Sequence, residues 1–187
     1  MKGLSKCIYI GGVKGVGKSS LLKAALKGLK REIPIGKGSV IMKELASLES
    51  VEELCLLDPE KRAILRDKSQ DIMFNSKKDF VLDGHYSIPA KNGNYEFPFD
   101  KRHWQKIAAF AIITSTPDEV YARRASDVNI KPRELSQDAI LADLQIEIKT
   151  AKELAKKYCK PLHIIENDSN FEKAALELQK IIEKVLD

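Results

Sequence analysis

The chain alternates short apolar runs with longer segments in which apolar residues recur every three or four positions. Such runs are typical of buried strands, and the periodic segments are typical of amphipathic helices. Strands are predicted from residue 8 and over residues 33–35, 79–85, 106–114 and 161–165, and helices over about 18–30, 39–48, 50–57, 59–76, 117–124, 136–158 and 171–185. The alternation predicts an α/β fold of three layers, with a parallel sheet of about five strands and helices on both faces.

Polar residues mark the starts of several predicted helices. Ser39, Asp58, Thr116 and Ser136 each precede a periodic segment. Their side-chain oxygens can accept a hydrogen bond from a free amide of the first helical turn. These positions are therefore the predicted N-caps.

A glycine-rich motif follows the first predicted strand and opens the first helix. Residues 12–19, GVKGVGKS, match the phosphate-binding loop G-x-x-x-x-G-K-[ST] of P-loop NTPases. Glycines let several backbone amides converge on a phosphate, and the helix N-terminus adds its dipole. Lys18 is expected to reach the β- and γ-phosphates from a solvent-filled loop, and Ser19 to bind Mg²⁺. The predicted nucleotide-binding residues are Gly12, Gly15, Val16, Gly17, Lys18, Ser19 and Ser20.

An acidic residue ends the strand predicted over 79–85. Ligands of open α/β sheets bind outside the carboxyl ends of the strands, so Asp83 is expected to lie across from the loop. There it would help to hold Mg²⁺ and take part in catalysis. His85 follows two residues later, and its sequence context leaves open whether it contacts the acceptor or packs inside the protein.

A basic segment at residues 123–136 contains Pro132 and too few apolar residues for a core. It is interpreted as a small mobile lid at about 124–136. Arginine offers a planar fork to phosphate oxygens, so Arg123 and Arg133 are the candidates to stabilise the transferring phosphoryl group. Arg124, and Asn167 in the polar turn after the last strand, are expected to contact the nucleotide.

A helical excursion at about residues 36–77 is predicted to bind the acceptor. Arg62, Arg66 and Gln70 follow one another every four residues and form a single stripe. The stripe is either a solvated basic face or a wall that binds an acceptor phosphate. Residues 89–100, rich in Pro, Gly, Asn and aromatic residues, are interpreted as a surface loop near the site.

Composition narrows the class of protein. With 187 residues, 43% hydrophobic and 32% charged, the chain is typical of one globular domain. No run approaches the roughly 18 apolar residues of a membrane span, and the first apolar run is too short for a signal peptide. The three cysteines lack metal-binding spacing, which favours reduced thiols and a cytoplasmic protein.

The charge of the chain suits an anionic partner. The net charge is +5 and the isoelectric point is about 9.0. A nucleotide already supplies a polyanion, so nucleic acid is the less favoured partner. The sequence leaves room for a homo-oligomer.

Along nearly its whole length the chain resembles archaeal-type adenylate kinases and, more broadly, the P-loop nucleoside monophosphate kinases. The segments that carry the resemblance are GVKGVGKSS, IGKGSVIMKEL, PEKRAIL, FVLDGHYSI and ARRASDVNIKPRELS. It implies ATP as the donor, Mg²⁺ as the metal and AMP as the first choice of acceptor. The expected substrate-binding residues are Lys37, Arg62, Arg66 and His85.

The chain departs from the resembled family at acceptor contacts. Lys37 stands where archaeal adenylate kinases have an Asp, Cys55 where they have an Arg, and no Arg follows closely after His85. Two alternatives therefore stay open. One is a kinase for a hydroxyl acceptor, either a small metabolite or an RNA end, and the other is a nucleotide-binding ATPase module without a dedicated acceptor.

Overall fold

A sheet of parallel strands forms the centre of the fold in the computed structural model, which describes residues 5–90, 93–98, 101–127, 135–168 and 170–187. The described strands are β1 Cys7–Gly11, β2 Ile35–Gly36, β3 Phe80–Asp83, β4 Ile88–Pro89, β5 Tyr95–Glu96, β6 Ile107–Thr114 and β7 Leu162–Glu166. Five of them pair in the order β2-β3-β1-β6-β7, and every pairing in this sheet is parallel. The strand that precedes the glycine loop, β1, is thus the middle strand.

Helices cover both faces of this sheet. They are α1 Lys18–Lys27, α2 Gly38–Leu45, α3 Pro59–Phe74, α4 Pro117–Ala125, α5 Gln137–Lys157 and α6 Phe171–Leu186, with 3₁₀ helices at Glu52–Leu56 and Lys101–Lys106. Ile8 and Ile10 of β1 pack in one cluster with α1 and α6. Cys7 and Tyr9, which point the other way, pack with α3 and the second half of α5. The predicted three-layer α/β fold is confirmed.

Side-chain caps start three of the helices as predicted. The Asp58 carboxylate accepts hydrogen bonds from the Glu60 and Lys61 amides, at 2.9 and 3.3 Å. Thr116 and Ser136 accept from the amides three residues later, at 3.3 Å each. The predicted cap at Ser39 is wrong. The helix begins at Gly38, because the Lys37 carbonyl already accepts from the Val40 and Ile41 amides.

The segment predicted as a surface loop contains a small hairpin. β4 and β5 pair antiparallel, with Ile88 opposite Glu96 and Pro89 opposite Tyr95. The Ala90 amide donates to the Asn94 carbonyl at 2.8 Å, and Gly93 takes a φ of 82° in the turn. Two-residue strands lie below what periodicity can detect, and the proline and glycine content favoured a loop.

The excursion between β2 and β3 has its own small core. Met42, Leu54 and Leu65 pack together, one each from α2, the first 3₁₀ helix and α3. Residues 128–134, most of the predicted lid, lie outside the described part of the chain, and Arg133 is among them. All three cysteines are free thiols. Among the described helices, none combines the length and the apolar character that a bilayer crossing requires.

Candidate phosphate-binding site

The predicted phosphate loop is a tight turn between β1 and α1. Gly12, Gly15 and Gly17 all have positive φ, at 150°, 88° and 84°. Such angles strain any residue with a Cβ. A Cβ at Gly12 would also lie 2.7 Å from the Ile113 carbonyl oxygen, and one at Gly17 would lie 2.5 Å from Nδ2 of Asn167. Space and backbone angle therefore both require glycine at these two positions.

Lys18 meets the acid that was predicted to lie across from it. Its Nζ lies 2.5 Å from Oδ1 of Asp83 and 2.5 Å from the Gly84 carbonyl oxygen. Asp83 ends β3 and pairs in register with Ile10 of β1, so both residues lie at the carboxyl edge of the sheet. The Lys18 and Asp83 side chains are each 9% exposed. The expectation that Lys18 faces a solvent-filled loop is wrong, since its ammonium group is held in a buried ion pair.

A second lysine approaches the same carboxylate from the acceptor side. Nζ of Lys37, the N-cap of α2, lies 3.5 Å from Oδ2 of Asp83, and the Lys37 side chain is 42% exposed. Asp83 thus lies between two cations, one from each side of the site.

The first turn of α1 presents hydroxyl groups beside the loop. Ser19 and Ser20 are both exposed, whereas Val16 is fully buried. The Ser19 hydroxyl is an oxygen donor of the kind that Mg²⁺ prefers, and the Asp83 carboxylate is another. The residue types at this edge fit a Mg²⁺ ion.

Two arginines of α4 hold the loop through its carbonyl oxygens. Arg123 donates from Nη1 to the Val16 carbonyl at 3.2 Å and from Nη2 to the Asn167 carbonyl at 2.8 Å. Arg124, only 3% exposed, donates from Nε to the Lys14 carbonyl at 2.9 Å. We expected Arg124 to begin a lid, but it lies within α4, which ends at Ala125.

Asn167 supports the loop from the end of β7. It is 3% exposed, and its Nδ2 donates to the Val16 carbonyl at 2.7 Å. Its Oδ1 is buried and has no hydrogen-bond partner among the residues that the structure describes. A buried oxygen of this kind is available to a donor group of a ligand.

His85 lies beside the Lys18–Asp83 pair and is partly buried. Burial, and to a lesser extent the nearby Lys18 charge, lower the pKa of His85 from 6.5 to about 3, although Asp83 and a hydrogen bond with the Gly12 backbone oppose the shift. The Tyr9 hydroxyl donates to the His85 carbonyl at 2.7 Å. His85 is therefore a neutral imidazole at physiological pH, not a cation for an acceptor phosphate.

The basic stripe of α3 faces the hairpin. Arg62 Nη2 lies 2.6 Å from Oε1 of Glu96 in β5, and Arg66 Nη2 lies 3.2 Å from Oε2 of the same residue. Gln70 donates to the Pro98 carbonyl at 3.2 Å. Both alternatives for the stripe omitted this pairing, because Glu96 lies some thirty residues away in sequence.

Sequence reasoning missed Glu147, a buried acid of α5. Glu147 is 1% exposed, and its Oε1 accepts a hydrogen bond from the Gly12 amide at 3.0 Å. The helix was interpreted only through its apolar face. A signal existed, since Asp143, Glu147 and Thr150 recur at helical spacing beside that face and all three are buried.

A glycine cradle at the carboxyl edge of a parallel sheet, closed by a lysine and an acid, defines the P-loop class. A family model described as "AAA domain" matches residues 11–142, which is more than half of the chain. The chain belongs to this AAA domain family.

Individual relatives agree with this class. The adenylate kinase of Thermococcus kodakarensis is 26% identical in an alignment 185 positions long, and the alignment covers 94% of this chain and 94% of that protein. Two solved structures share the fold: the shikimate kinase of Bacteroides thetaiotaomicron has a TM-score of 0.58 at 16% identity, covering 95% of this chain and 98% of its own. The gluconokinase of Sinorhizobium meliloti 1021 has a TM-score of 0.56 at 12% identity, covering 98% of this chain and 94% of its own. The predicted resemblance and the predicted enzyme class, a P-loop phosphotransferase, are confirmed.

Proposed function

We propose that the protein is an ATP-dependent nucleoside monophosphate kinase of the adenylate kinase type, which converts ATP and AMP into two ADP. The observation that carries the proposal is the glycine cradle with Lys18 and Asp83 at its mouth. A full-length likeness to an adenylate kinase supports AMP as the acceptor. Phosphoryl transfer depends chiefly on positioning and charge neutralisation, which such a cradle can supply.

On the donor side, the residues of the loop would hold the triphosphate through their backbone amides. Lys18 would exchange its bond to Asp83 for the β- and γ-phosphate oxygens. Ser19 and Asp83 would hold Mg²⁺, which neutralises phosphate charge when it is bound. The Lys18–Asp83 ion pair would thus hold the ammonium group near the phosphate oxygens and the carboxylate near Mg²⁺.

The arginines divide into two roles. Arg124 is buried behind the loop and would fix its shape through the Lys14 carbonyl. Arg123 lies against the loop at Val16, and we propose that it stabilises the transferring phosphoryl group together with Arg133 of the predicted lid. The unpartnered Oδ1 of Asn167 would accept a hydrogen bond from the nucleotide.

On the acceptor side, Lys37, Arg62 and Arg66 would bind the phosphate of AMP. His85 would contact the acceptor as a neutral group. For Arg62 and Arg66 this requires that the phosphate replace the Glu96 carboxylate. An acceptor phosphate needs no strong general base, because it is already ionised at neutral pH.

A kinase for a hydroxyl acceptor is the second candidate. The pairing of Arg62 and Arg66 with Glu96 favours it, because these two charges are already compensated within the protein. Such an acceptor would need no second phosphate site. An acceptor-independent ATPase is the remaining alternative.

One assay separates the three functions. The protein is incubated with ATP, Mg²⁺ and, in turn, each nucleoside monophosphate, a 5′-hydroxyl RNA and a panel of small polyols and hydroxy acids, and ADP is measured. The Lys18→Ala variant serves as the control for contaminating kinases. Stimulation by AMP supports the proposal, and stimulation only by a hydroxyl compound supports the second candidate. Slow ADP release that no acceptor changes would refute both.

A further inference from the structure

Glu147 has a complete set of hydrogen-bond donors in the interior. Oε1 accepts from the Gly12 amide at 3.0 Å and from the Tyr86 amide at 2.8 Å. Oε2 accepts from the amide and the hydroxyl of Ser87, both at 2.6 Å. The four donors are three backbone amides and a hydroxyl, so the carboxylate is held by dipoles. An apolar residue at position 147 would leave three buried amides without this acceptor, which is costly in the protein interior.

These donors belong to two segments that are far apart in sequence. Gly12 is the first residue of the phosphate loop. Tyr86 and Ser87 follow Asp83 and Gly84, the two residues that bind the Lys18 ammonium group. The Tyr86 ring also packs so closely on β1 that a Cβ at Gly11 would lie 2.3 Å from it. One carboxylate therefore links the start of the loop to the segment that holds Lys18.

The same helix reaches the loop at a second point. One turn before Glu147, Asp143 of α5 lies with its Oδ2 3.8 Å from Nη2 of Arg124, and both side chains are under 6% exposed. Arg124 in turn bonds to the Lys14 carbonyl. α5 thus contacts the loop at Gly12 directly and at Lys14 through an arginine.

We infer that Glu147 is a positioning residue, which sets the separation between the phosphate loop and the Gly84–Ser87 side of the site so that the loop amides and Lys18 meet the same triphosphate. The inference rests on the proposed function, because it takes the loop to bind a nucleotide. Glu147 is 1% exposed, so a substrate bound at the loop would not touch it. Its effect on transfer comes from geometry, and small displacements of reacting groups can lower rates strongly.

Two variants of different severity test the inference. Glu147→Gln keeps the shape of the side chain but replaces one acceptor oxygen by an NH₂ group, which opposes at least one backbone amide. Ser87→Ala removes only the hydroxyl donor. We expect the affinity for a non-hydrolysable ATP analogue to fall about tenfold in Glu147→Gln and about two- to threefold in Ser87→Ala. In the double variant the losses should be smaller than the product of the two, since both act through one contact.

Thr150→Val is the matched control. Thr150 is buried one turn further along α5, and within the described part of the chain its hydroxyl bonds only inside the helix, to the Ile146 carbonyl at 2.8 Å. This variant should lose stability but keep the wild-type affinity for the ATP analogue. If Glu147→Gln and Ser87→Ala also keep that affinity while their melting temperatures fall, Glu147 has only a structural role and the inference is wrong. Should Glu147→Gln not fold, Ser87→Ala and Thr150→Val decide between the two roles.

Amide hydrogen exchange provides a readout that does not depend on the acceptor. In Glu147→Gln, exchange should accelerate at Gly12 and at Ser87 together, and in Thr150→Val at neither. A wild-type protein that binds the ATP analogue without phosphorylating AMP would refute the proposed acceptor and leave the inference supported by the affinities. A wild-type protein that binds no ATP analogue would refute the proposed function, and the inference with it.

Discussion

The phosphate loop and the acceptor side of the site are held by different kinds of contact. Asn167, Arg124 and Glu147 are 3%, 3% and 1% exposed, and each bonds to backbone atoms of the loop. On the other side, the Arg62, Arg66 and Glu96 side chains are 23%, 25% and 32% exposed and pair with one another. Partly exposed ion pairs contribute little and exchange partners readily, whereas buried polar contacts are costly to break.

The site therefore has two halves. The loop is preformed by buried contacts, whereas the acceptor side is held by ion pairs that can exchange partners. The loop is preformed, because buried side chains hold its Gly12 amide and its Lys14 and Val16 carbonyl groups in place. The arginines of α3 hold the partly exposed Glu96 carboxylate, which the proposed acceptor phosphate would replace. Substitutions on the two sides should therefore differ both in size and in the kinetic constant that they change.

Removing the loop lysine should have the largest effect. In Lys18→Ala we expect phosphoryl transfer to fall by roughly 10²–10³-fold, since a charge that acts on the transferring group is lost. The fold should persist, because Asp83 keeps Lys37 as a partner. Steady-state kinetics and thermal melting measure the two effects.

Lys23→Ala is the control for this substitution. Lys23 lies on the exposed face of the same helix, so its removal should leave transfer unchanged. Near-wild-type phosphoryl transfer in Lys18→Ala would contradict the proposal that the preformed loop binds the phosphate donor.

The acceptor arginines should give the next largest effect. If AMP binds at the stripe, Arg66→Ala should lower kcat/KM for AMP by about 1.5–3 kcal/mol, roughly 10- to 150-fold, with little change in ATP affinity. Glu96→Gln should lower the KM for AMP, because it removes the carboxylate that competes for both arginines.

Glu96→Gln tests directly whether an acceptor phosphate exchanges with the Glu96 carboxylate. A higher KM for AMP in Glu96→Gln would mean that Glu96 supports the acceptor site. Unchanged acceptor kinetics in both variants would show that the stripe only anchors the hairpin, and would favour the hydroxyl acceptor.

The histidine between the two halves should make stability depend on pH. The pKa of His85 is about 3 in the folded protein, so the unfolded chain binds a proton near pH 6.5 that the folded protein does not. The stability of the wild type relative to His85→Gln is therefore full above about pH 6.5 and falls as the pH drops toward 3, by no more than about 1.4 kcal/mol per pH unit. Denaturant unfolding at pH 7, 5.5 and 4.5 measures this difference. A constant difference would contradict the low pKa.

A helix cap on the acceptor side should give the smallest effect. Asp58→Ala should lower the free energy of unfolding by about 1 kcal/mol, because α3 loses its two capping bonds. ATP affinity should not change, since Arg62 and Arg66 of α3 bond to the hairpin and not to the loop. A parallel fall in ATP affinity, measured by calorimetry, would mean that the two halves are more strongly coupled than their contacts indicate.

The parts of the molecule that follow from local sequence were predictable. The strand, the glycine loop and the start of α1 are contiguous, and the caps at Asp58, Thr116 and Ser136 each act within three residues. The order of hydrophobic runs was enough to predict a parallel sheet covered on both faces. Each of these features depends on neighbours in the chain.

The contacts that distinguish the two halves were not predictable in this way. Glu147 meets Gly12 across 135 positions, and Arg62 meets Glu96 across 34. Nothing in the local sequence of α3 indicates that its basic stripe is already paired. The hairpin that supplies Glu96 has strands of two residues, too short for any periodicity. Such contacts depend on tertiary packing, which cannot be predicted from the spacing of residue types in a single sequence.

We propose that the preformed loop delivers the γ-phosphate of ATP to AMP. The most direct test incubates the protein with γ-³²P-labelled ATP, Mg²⁺ and unlabelled AMP, and separates the products by chromatography at early times. We expect the label to appear in ADP only when AMP is present, and we expect Lys18→Ala to lower its rate of appearance by roughly 10²–10³-fold. Label that appears only in inorganic phosphate, at a rate that AMP does not change, would contradict the proposed transfer to AMP.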